Sequence, residues 1–395
     1  MSNSKALAMS QVNYSFITAI LFWCGLVIVA SNYLTIPLMS IFSDVFHANM
    51  AQVAWTGSGF SFCYAIGSLF SGPLSDQFGR KRVILIGLFM LTIITITIPI
   101  YSSLFWISVL RSIQGFAAAS FAPVALAYVV DKFPTKKIVT TIGFISSGFL
   151  ISGIVGQIFS TYVSQQFGWQ SVFYYAGFIY LLTFLLVWLF LPRASTQQLD
   201  SNVRSMFQQF KKLLTDKNLI LAYTVTITLL LTFVAFYTIL GDYLVETFHL
   251  NENTILNIRV AGIIGMVFTP FAGVLTNRFG VVPILRVGLL VAVLGIGLVG
   301  VDTSLSILVV MSIVFVTGIA ITVPTLITLV GNLGGKNHGA AVSLYAFILF
   351  IGTSLGPIIT VTLLKTGSYF IAFEILTSIL GVSLLISFFI KPKTD

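Results

Sequence analysis

Charged side chains are scarce in this chain, where Asp, Glu, Lys and Arg together make up 8% of 395 residues. A soluble domain has about 25%, so these residues are too few to cover a surface that faces water. Cysteine is nearly absent, with Cys24 and Cys63 only. Both lie inside apolar stretches, so we expect no disulfide and no metal site. The hydrophobic share of 57% indicates a protein whose solvent is lipid.

Long apolar runs occupy most of the chain. Each has about 20 residues, the length of a helix that crosses a hydrocarbon core of about 30 Å. None alternates apolar and polar residues as the strands of a membrane barrel do. The sequence therefore predicts an all-α membrane protein with twelve transmembrane helices. The runs cover residues 14–38, 51–72, 83–101, 104–129, 138–161, 170–191, 218–240, 255–276, 282–301, 305–330, 338–363 and 367–390.

Basic residues are unevenly distributed among the loops. If the N-terminus is cytoplasmic, nearly all Lys and Arg residues fall in loops on that side, and the outer loops have only Lys365. This is the positive-inside pattern, and it places both termini in the cytoplasm. The net charge of +9 therefore marks orientation in the cell (cytoplasmic) membrane, and we expect no nucleic-acid partner.

The chain contains a repeat. Residues 72–79 read GPLSDQFG and residues 273–280 read GVLTNRFG, and each copy follows the second run of a set of six. Parallel halves of this kind are a transporter architecture in which the substrate binds between the halves. The predicted units are a six-helix bundle at 1–191, a cytoplasmic linker at 192–217 and a six-helix bundle at 218–395.

The linker has a pattern of its own. Apolar residues from Val203 to Leu214 recur at helical spacing among basic residues. This predicts an amphipathic helix that lies on the inner leaflet. Its simplest role is a mechanical connection between the halves.

The first copy of the repeat continues with Arg80 and Lys81, and it resembles the signature loop of the major facilitator superfamily. The resemblance extends over the whole chain through its twelve runs and its repeat. It implies a charge cluster of Asp76, Arg80 and Asp131 that latches the cytoplasmic side. From the residues alone, a basic anchor beside a turn is the alternative.

Two glycines of the same loop are part of this pattern. Gly72 lets neighbouring helices approach closely, and Gly79 permits a tight turn with positive φ. The second copy has Asn277 in place of the acid, so we expect the latch in the first half only.

The fourth run contains Arg111, Gln114 and Gly115, which share one helix face. This Arg-x-x-Gln-Gly pattern resembles the drug:proton antiporters of the superfamily, and the resemblance implies that the arginine tunes proton binding. An arginine within a membrane span costs at least about 2.5–3.5 kcal/mol and usually marks function. The alternative is an arginine that extends to the outer surface.

Small residues line one face of the fifth run and recur in the eleventh. The fifth run resembles a degraded form of an antiporter signature, in which Gly153 and Gln157 replace a proline and a glycine. Close helix packing explains these residues equally well. The residues are Gly148, Ser152 and Gly156 in the fifth run and Gly352, Gly356 and Pro357 in the eleventh.

Acidic residues within the runs are candidates for proton coupling. Glu374 is the one acid clearly inside a run, and burial raises the pKa of a carboxyl toward neutrality. The alternative is that Glu374 faces lipid headgroups or pairs with Lys365 or Arg259. Asp242, Glu246 and Arg259 are expected to form a salt network at the outer gate.

The substrate cavity is expected between the halves, lined by the first, fourth, seventh and tenth runs. Dense charge is absent from these runs, which favours a lipophilic substrate that is neutral or cationic. The candidate lining residues are Asn32, Tyr33, Phe233, Phe236 and Tyr237.

These features predict a secondary active transporter that exports drug-like compounds or a metabolite in exchange for protons. One alternative is a facilitator or proton symporter that takes up a small solute, and another is a dedicated exporter of a metabolite such as a sugar or siderophore. No nucleophile, base or metal set indicates an enzyme, and no cofactor is expected. The expected partners are a small-molecule substrate, protons and membrane lipid, and we expect a monomer.

Overall fold

The computed structural model describes residues 13–193, 203–299 and 304–391, and this part of the chain is helical without β-strands. Ten helical spans in it are long and apolar enough to cross a membrane. The first helix, of 17 residues, and the third, of 29 residues, complete the predicted twelve. The helices are α1 (Tyr14–Ala30), α2 (Met39–Phe46), α3 (Met50–Phe78), α4 (Arg80–Thr97), α5 (Leu104–Ala118), α6 (Ala122–Lys132), α7 (Thr135–Phe167), α8 (Trp169–Phe190), α9 (Val203–Leu213), α10 (Lys217–Phe248), α11 (Glu252–Met266), α12 (Phe271–Phe279), α13 (Val281–Val299), α14 (Leu305–Gly334), α15 (His338–Leu364) and α16 (Tyr369–Ser387).

Three of the predicted runs are broken helices. The first run continues from α1 through turns to α2, the fourth comprises α5 and α6, and the eighth comprises α11 and α12. Pro37, Pro123 and Pro270 lie at or just after these breaks, where a proline removes a backbone donor and disfavours a helical residue before it. Pro73 and Pro324 lie inside continuous helices, so proline alone does not decide the break.

The repeat produces two equivalent junctions. Gly79 joins α3 to α4 with φ of 99° and Gly280 joins α12 to α13 with φ of 89°. Only glycine adopts such backbone angles without strain. The tight turn predicted at Gly79 is therefore confirmed, and the second half has the same turn.

The small-residue faces pack helices closely within each half. Gly148 and Gly156 bring α7 against the backbone of α1, since a Cβ at either position would lie 2.8 Å from a carbonyl oxygen of Phe22 or Ala30. Gly352 and Gly356 do the same for α15 against α10. Ser152 is buried, and its hydroxyl donates to the Phe149 carbonyl in its own helix. The side chain of Pro357 lies outside the described residues.

Among the described glycines of the first half, Gly115 makes the tightest approach to a backbone atom of another helix, and this approach gives a stability prediction. A methyl group on Gly115 would overlap the Phe60 carbonyl of α3, and such overpacking typically costs about 1–3 kcal/mol. We expect Gly115→Ala to lower the melting temperature in detergent by several degrees. Gly381→Ala is the matched control, because a Cβ at Gly381 meets nothing within 4 Å and alanine is the better helix former. Equal melting temperatures for the two variants would contradict this account of the packing.

The linker region contains the expected helix, α9. Its Phe210 and Leu213 are buried, and α9 packs against α15. Residues 194–202 and the side chains of 203–207 lie outside the described residues. The membrane-surface role of α9 and the unit boundaries at 191 and 217 stay predictions.

Candidate transport site and gates

The implied charge cluster is formed at the cytoplasmic ends of α3, α4 and α6. Arg80 is 6% exposed, and its Nε donates to Asp131 Oδ2 at 3.0 Å. Its guanidinium also pairs with Asp76 and donates to the Ser75 hydroxyl. A buried arginine requires such acceptors because an unpaired charge away from water is costly. The three predicted residues therefore lie together, as the sequence motif implies.

The other half of the molecule contacts this cluster through the start of α15. His338 Nε2 lies 3.6 Å from Asp131 Oδ1. A Cβ at Gly339 would lie 3.2 Å from Asp76 Oδ2, so this carboxylate faces the positive end of the α15 dipole. We call Asp76, Arg80, Asp131 and His338 the inner clasp. The sequence does not indicate this contact, because nothing near His338 along the chain points to Asp131.

Gly72 has the role predicted for it. A Cβ there would overlap the Ser343 hydroxyl of α15. The glycine thus allows α3 and α15, from different halves, to touch beside the inner clasp.

Arg111 lies wholly inside the first half, with no exposed surface. Its Nε donates to the Thr56 carbonyl at 3.0 Å, and its Nη1 donates to the Ser31 carbonyl at 2.9 Å and to Gln114 Oε1 at 2.6 Å. The Phe60 ring lies 4.4 Å from the guanidinium carbon. Full burial is inconsistent with an arginine that extends to the outer surface.

Gln114 connects Arg111 to a further helix, since its Nε2 donates to Thr95 Oγ1 at 2.6 Å. The predicted pair of Arg111 and Gln114 is therefore joined directly. From the segment that follows α1, Ser31 and Thr35 supply acceptors for Arg111. Two of the four acceptors of Arg111 are backbone carbonyls, and a backbone carbonyl cannot be recognised from the sequence.

A central cavity of about 50 Å³ lies between the halves. Tyr64 of α3 and Phe350 of α15 stack in it across the interface, with ring centroids 3.9 Å apart. The hydroxyls of Tyr64 and Tyr345 are buried, and neither has a hydrogen-bond partner in the described part of the chain. The lining residues are Val29, Tyr33, Tyr64, Ala122, Leu126, Phe149, Leu150, Leu230, Phe233, Val323, Ile327, Tyr345, Ala346, Leu349 and Phe350.

Two of the five predicted cavity residues, Tyr33 and Phe233, are in this lining, and three are not. Asn32 accepts from the Ser61 hydroxyl at 2.7 Å. Phe236 packs on Phe315, with ring centroids 4.6 Å apart. Tyr237 lies beyond the cavity on its outer side. A role of these three residues in substrate binding stays a prediction, because their positions in the sequence do not reveal which face meets the other half.

The outer side of the cavity has a different polar contact between the halves. Arg259 of α11 donates from Nη1 to Gln157 Oε1 of α7 at 3.0 Å. Asp242 accepts instead from the Tyr369 hydroxyl at 2.8 Å. Among the described residues Arg259 pairs with no carboxylate, so the predicted salt network at the outer gate is wrong.

Glu374 is half-buried in α16. Within the described ranges it forms no ion pair, with Lys365, Arg259 or any other residue. Its proposed role in proton coupling stays a prediction.

A second and larger cavity, of about 910 Å³, lies in the cytoplasmic half between α1, α7 and the α11–α12 segment. Its walls are mainly apolar, from Phe22 and Phe144 on one side to Met266 and Phe271 on the other. Lys137 is the charged residue of this lining, and its Nζ lies 5.2 Å from the Tyr14 ring centroid.

Comparison with known proteins agrees with this architecture. The model of the Major Facilitator Superfamily matches residues 21–357 and 260–395. The chain belongs to the major facilitator superfamily.

Relatives within the superfamily include transporters of the bacterial inner membrane. The chain is 27% identical to an inner membrane transport protein of Escherichia coli over 271 residues, 68% of this chain and 65% of that protein. It is 31% identical to a bicyclomycin resistance protein homolog of Haemophilus influenzae over 149 residues, 37% of each. The human organic anion transporter MFSD10 has the same fold, with a TM-score of 0.80 at 14% identity, covering 95% of this chain and all of that chain.

As a major facilitator, the chain is a multi-pass transporter of the cell membrane. Membership accounts for the loop at 72–81 and its weaker copy at 273–280. Two polar contacts lie outside these loops, that of His338 with Asp131 and that of Arg259 with Gln157. These two join the halves on opposite sides of the central cavity.

Proposed function

We propose that this major facilitator exports lipophilic compounds across the cytoplasmic membrane in exchange for protons. The observation that carries the proposal is an apolar central cavity between two halves which, among the described residues, touch through one polar cluster on each side of it. Alternating access requires one of these contacts to break while the other holds. The bundles at 1–191 and 218–395 rock about the cavity, and the compound moves from one side to the other.

Two further observations support export of apolar compounds. The larger cavity lies on the cytoplasmic half and is lined mainly by apolar residues, which suits a compound collected from the cytoplasm or the inner leaflet. One relative is named for bicyclomycin resistance. The joined pair of Arg111 and Gln114 also matches the antiporter pattern of the family.

Flux in proteoliposomes tests the proposal. The protein is reconstituted, a pH gradient is imposed, and the movement of cationic, neutral and anionic dyes is followed, with ethidium as the first. We expect flux against the dye gradient that stops when an ionophore collapses the pH gradient. Flux that is downhill only, at the same rate with and without the pH gradient, would favour a facilitator and overturn the antiport proposal.

Glu374 is the carboxyl that we propose for the proton. It is half-buried within a membrane span and has no ion pair in the described part of the chain, so no basic side chain there fixes its charge. We expect Glu374→Gln to abolish uphill flux driven by the pH gradient and to retain downhill exchange of dye. Asp44→Asn, which changes an exposed acid of α2, is the matched control and should retain both. Uphill flux by Glu374→Gln at the wild-type rate would remove Glu374 from the coupling path.

A further inference from the structure

Arg259 is a second arginine within the membrane spans, and its surroundings differ from those of Arg111. Its Nη1 donates to Gln157 of the other half and its Nη2 lies 3.4 Å from the Tyr237 carbonyl. Its Nε is buried and has no partner among the described residues. Arg111, by contrast, donates from its Nε as well.

Space for this guanidinium is provided by a glycine. A Cβ on Gly241 would lie 2.6 Å from Arg259 Nη2, so any larger residue there would displace the arginine. The Tyr237 hydroxyl is also buried without a partner in the described ranges. It lies against Gly262, since a Cβ at Gly262 would overlap it. Gly262 follows Arg259 by one turn of α11, on the side toward the centre of the membrane.

These groups lie directly beyond the central cavity. Gly153 faces the Tyr33 ring, with 3.5 Å between the ring and a Cβ built on the glycine, and Tyr33 lines the cavity. Gln157 lies one turn beyond Gly153 on the same face of α7. In the same way, Tyr237 of α10 lies one turn beyond Phe233, which lines the cavity. The guanidinium is therefore held about one helical turn, or about 5 Å, on the outer side of the cavity.

The guanidinium of Arg259 is less fully bonded than that of Arg111. Gln157 and a carbonyl supply partial charges only, and Nε has no partner among the described residues, so a charged guanidinium within a membrane retains the capacity to bind an anion. Guanidinium groups bind carboxylate, sulfonate and phosphate oxygens with two parallel hydrogen bonds. A neighbouring hydroxyl donor adds a third. The lining of the central cavity, on the cytoplasmic side of the guanidinium, is apolar. The complementary ligand therefore has an apolar body and one anionic end.

We propose that Arg259, assisted by the Tyr237 hydroxyl, binds the anionic group of the transported compound while its apolar body occupies the central cavity, which widens from its present volume of about 50 Å³ as the halves separate. The proposal rests on the proposed function, because it takes the central cavity to be the transport site. It changes the substrate class expected from the sequence, from neutral or cationic compounds to amphiphilic anions. The anion competes with Gln157 for the guanidinium, so its binding also loosens the outer contact between the halves.

A matched pair of probes tests this directly. Dansyl sulfonate is an anion, and dansyl amide is a neutral compound of nearly the same shape. The melting temperature of the full-length protein in nonionic detergent is measured by size exclusion after heating, at increasing concentrations of each probe. No pH gradient and no flux are involved, so a protein that fails to couple to protons is still tested for anion binding.

We expect the sulfonate to stabilise the wild type more than the amide does. In Arg259→Gln the sulfonate should bind about tenfold more weakly, in line with hydrogen bonds to a charged group, and the difference between the probes should disappear. Arg278→Gln removes an exposed arginine of the same half and should behave as the wild type. Equal stabilisation by the two probes in the wild type, or an undiminished difference in Arg259→Gln, would overturn the assignment.

A second variant keeps the test valid if Arg259→Gln does not fold. Gln157→Ala leaves the arginine in place and removes its competitor from the other half. We expect tighter binding of the sulfonate and unchanged binding of the amide. Weaker binding of the sulfonate in Gln157→Ala would contradict the competition, and with it the assignment of Arg259 as the anion site.

Discussion

Arg111→Lys is expected to abolish flux driven by a pH gradient while leaving the protein folded in the membrane. The guanidinium donates to two backbone carbonyls and to Gln114 from fixed directions. A lysine ammonium keeps the charge but cannot reproduce this planar set of donors. At least one buried acceptor then loses its donor, at about 1–3 kcal/mol, and the link through Gln114 to Thr95 is disturbed. Proteoliposome flux and the melting temperature in detergent measure the two consequences separately.

Two further variants distinguish an effect of Arg111 on transport from an effect on folding. Arg82→Lys makes the same replacement at an exposed site and should leave flux unchanged. Arg111→Ala should lose stability as well as flux, because it removes a side chain that is fully buried. If Arg111→Lys retained uphill flux at the wild-type rate, Arg111 would be a structural residue and the antiporter pattern would carry no proton function.

Asp76→Asn is expected to reduce turnover by about tenfold or more without loss of protein from the membrane. Its carboxylate pairs with the buried Arg80 and faces the start of α15. Removing one partner of such a charge pair costs roughly 2–5 kcal/mol, and tenfold corresponds to about 1.4 kcal/mol. The pair with Arg80 lies within the first half and persists when the halves separate. The contact of Asp76 with the start of α15 exists only while the inner clasp is closed, so losing this contact shifts the equilibrium toward opening on the cytoplasmic side.

Two measurements check the effect of Asp76→Asn. Flux in proteoliposomes gives the turnover, and the accessibility of an introduced cysteine near Gly339 gives the extent of opening. Lys81→Gln is the control, since Lys81 is the neighbouring base and donates to the Trp188 carbonyl of its own half. Wild-type flux in Asp76→Asn, with unchanged accessibility, would show that the inner clasp is not a gate.

The general architecture could be predicted from the sequence because lipid imposes simple rules. Run length, basic loops and the GPLSDQFG pattern indicated the twelve spans, their orientation and the tight turn at Gly79. The cluster of Asp76, Arg80 and Asp131 could be anticipated because its residues lie at motif positions. The breaks at Ala119–Phe121 and Val267–Pro270 could not, since Pro73 and Pro324 show that proline is compatible with a continuous helix.

The contacts between the halves could not be predicted from the sequence. Tyr64 and Phe350 are two among 14 tyrosines and 36 phenylalanines, and no local pattern distinguishes residues at the interface from those that face lipid. The sequence analysis paired Arg259 with carboxylates at a similar depth in the membrane. In the fold, the side-chain amide of Gln157 in α7 lies beside it instead. Such pairings depend on how whole helices are arranged, and on backbone acceptors that every residue possesses.

The scarcity of cysteine has a practical consequence for following the motion of this transporter. Cys24 is buried and Cys63 is half-buried, so two replacements would yield a background without thiols. Pairs of spin labels could then be attached on either side of Gln157 and Arg259, and on either side of Asp131 and His338. Pulsed dipolar spectroscopy in nanodiscs would report the two separations in the same preparation. The anticorrelation of these separations is what alternating access requires, and this chain is unusually well suited to its measurement.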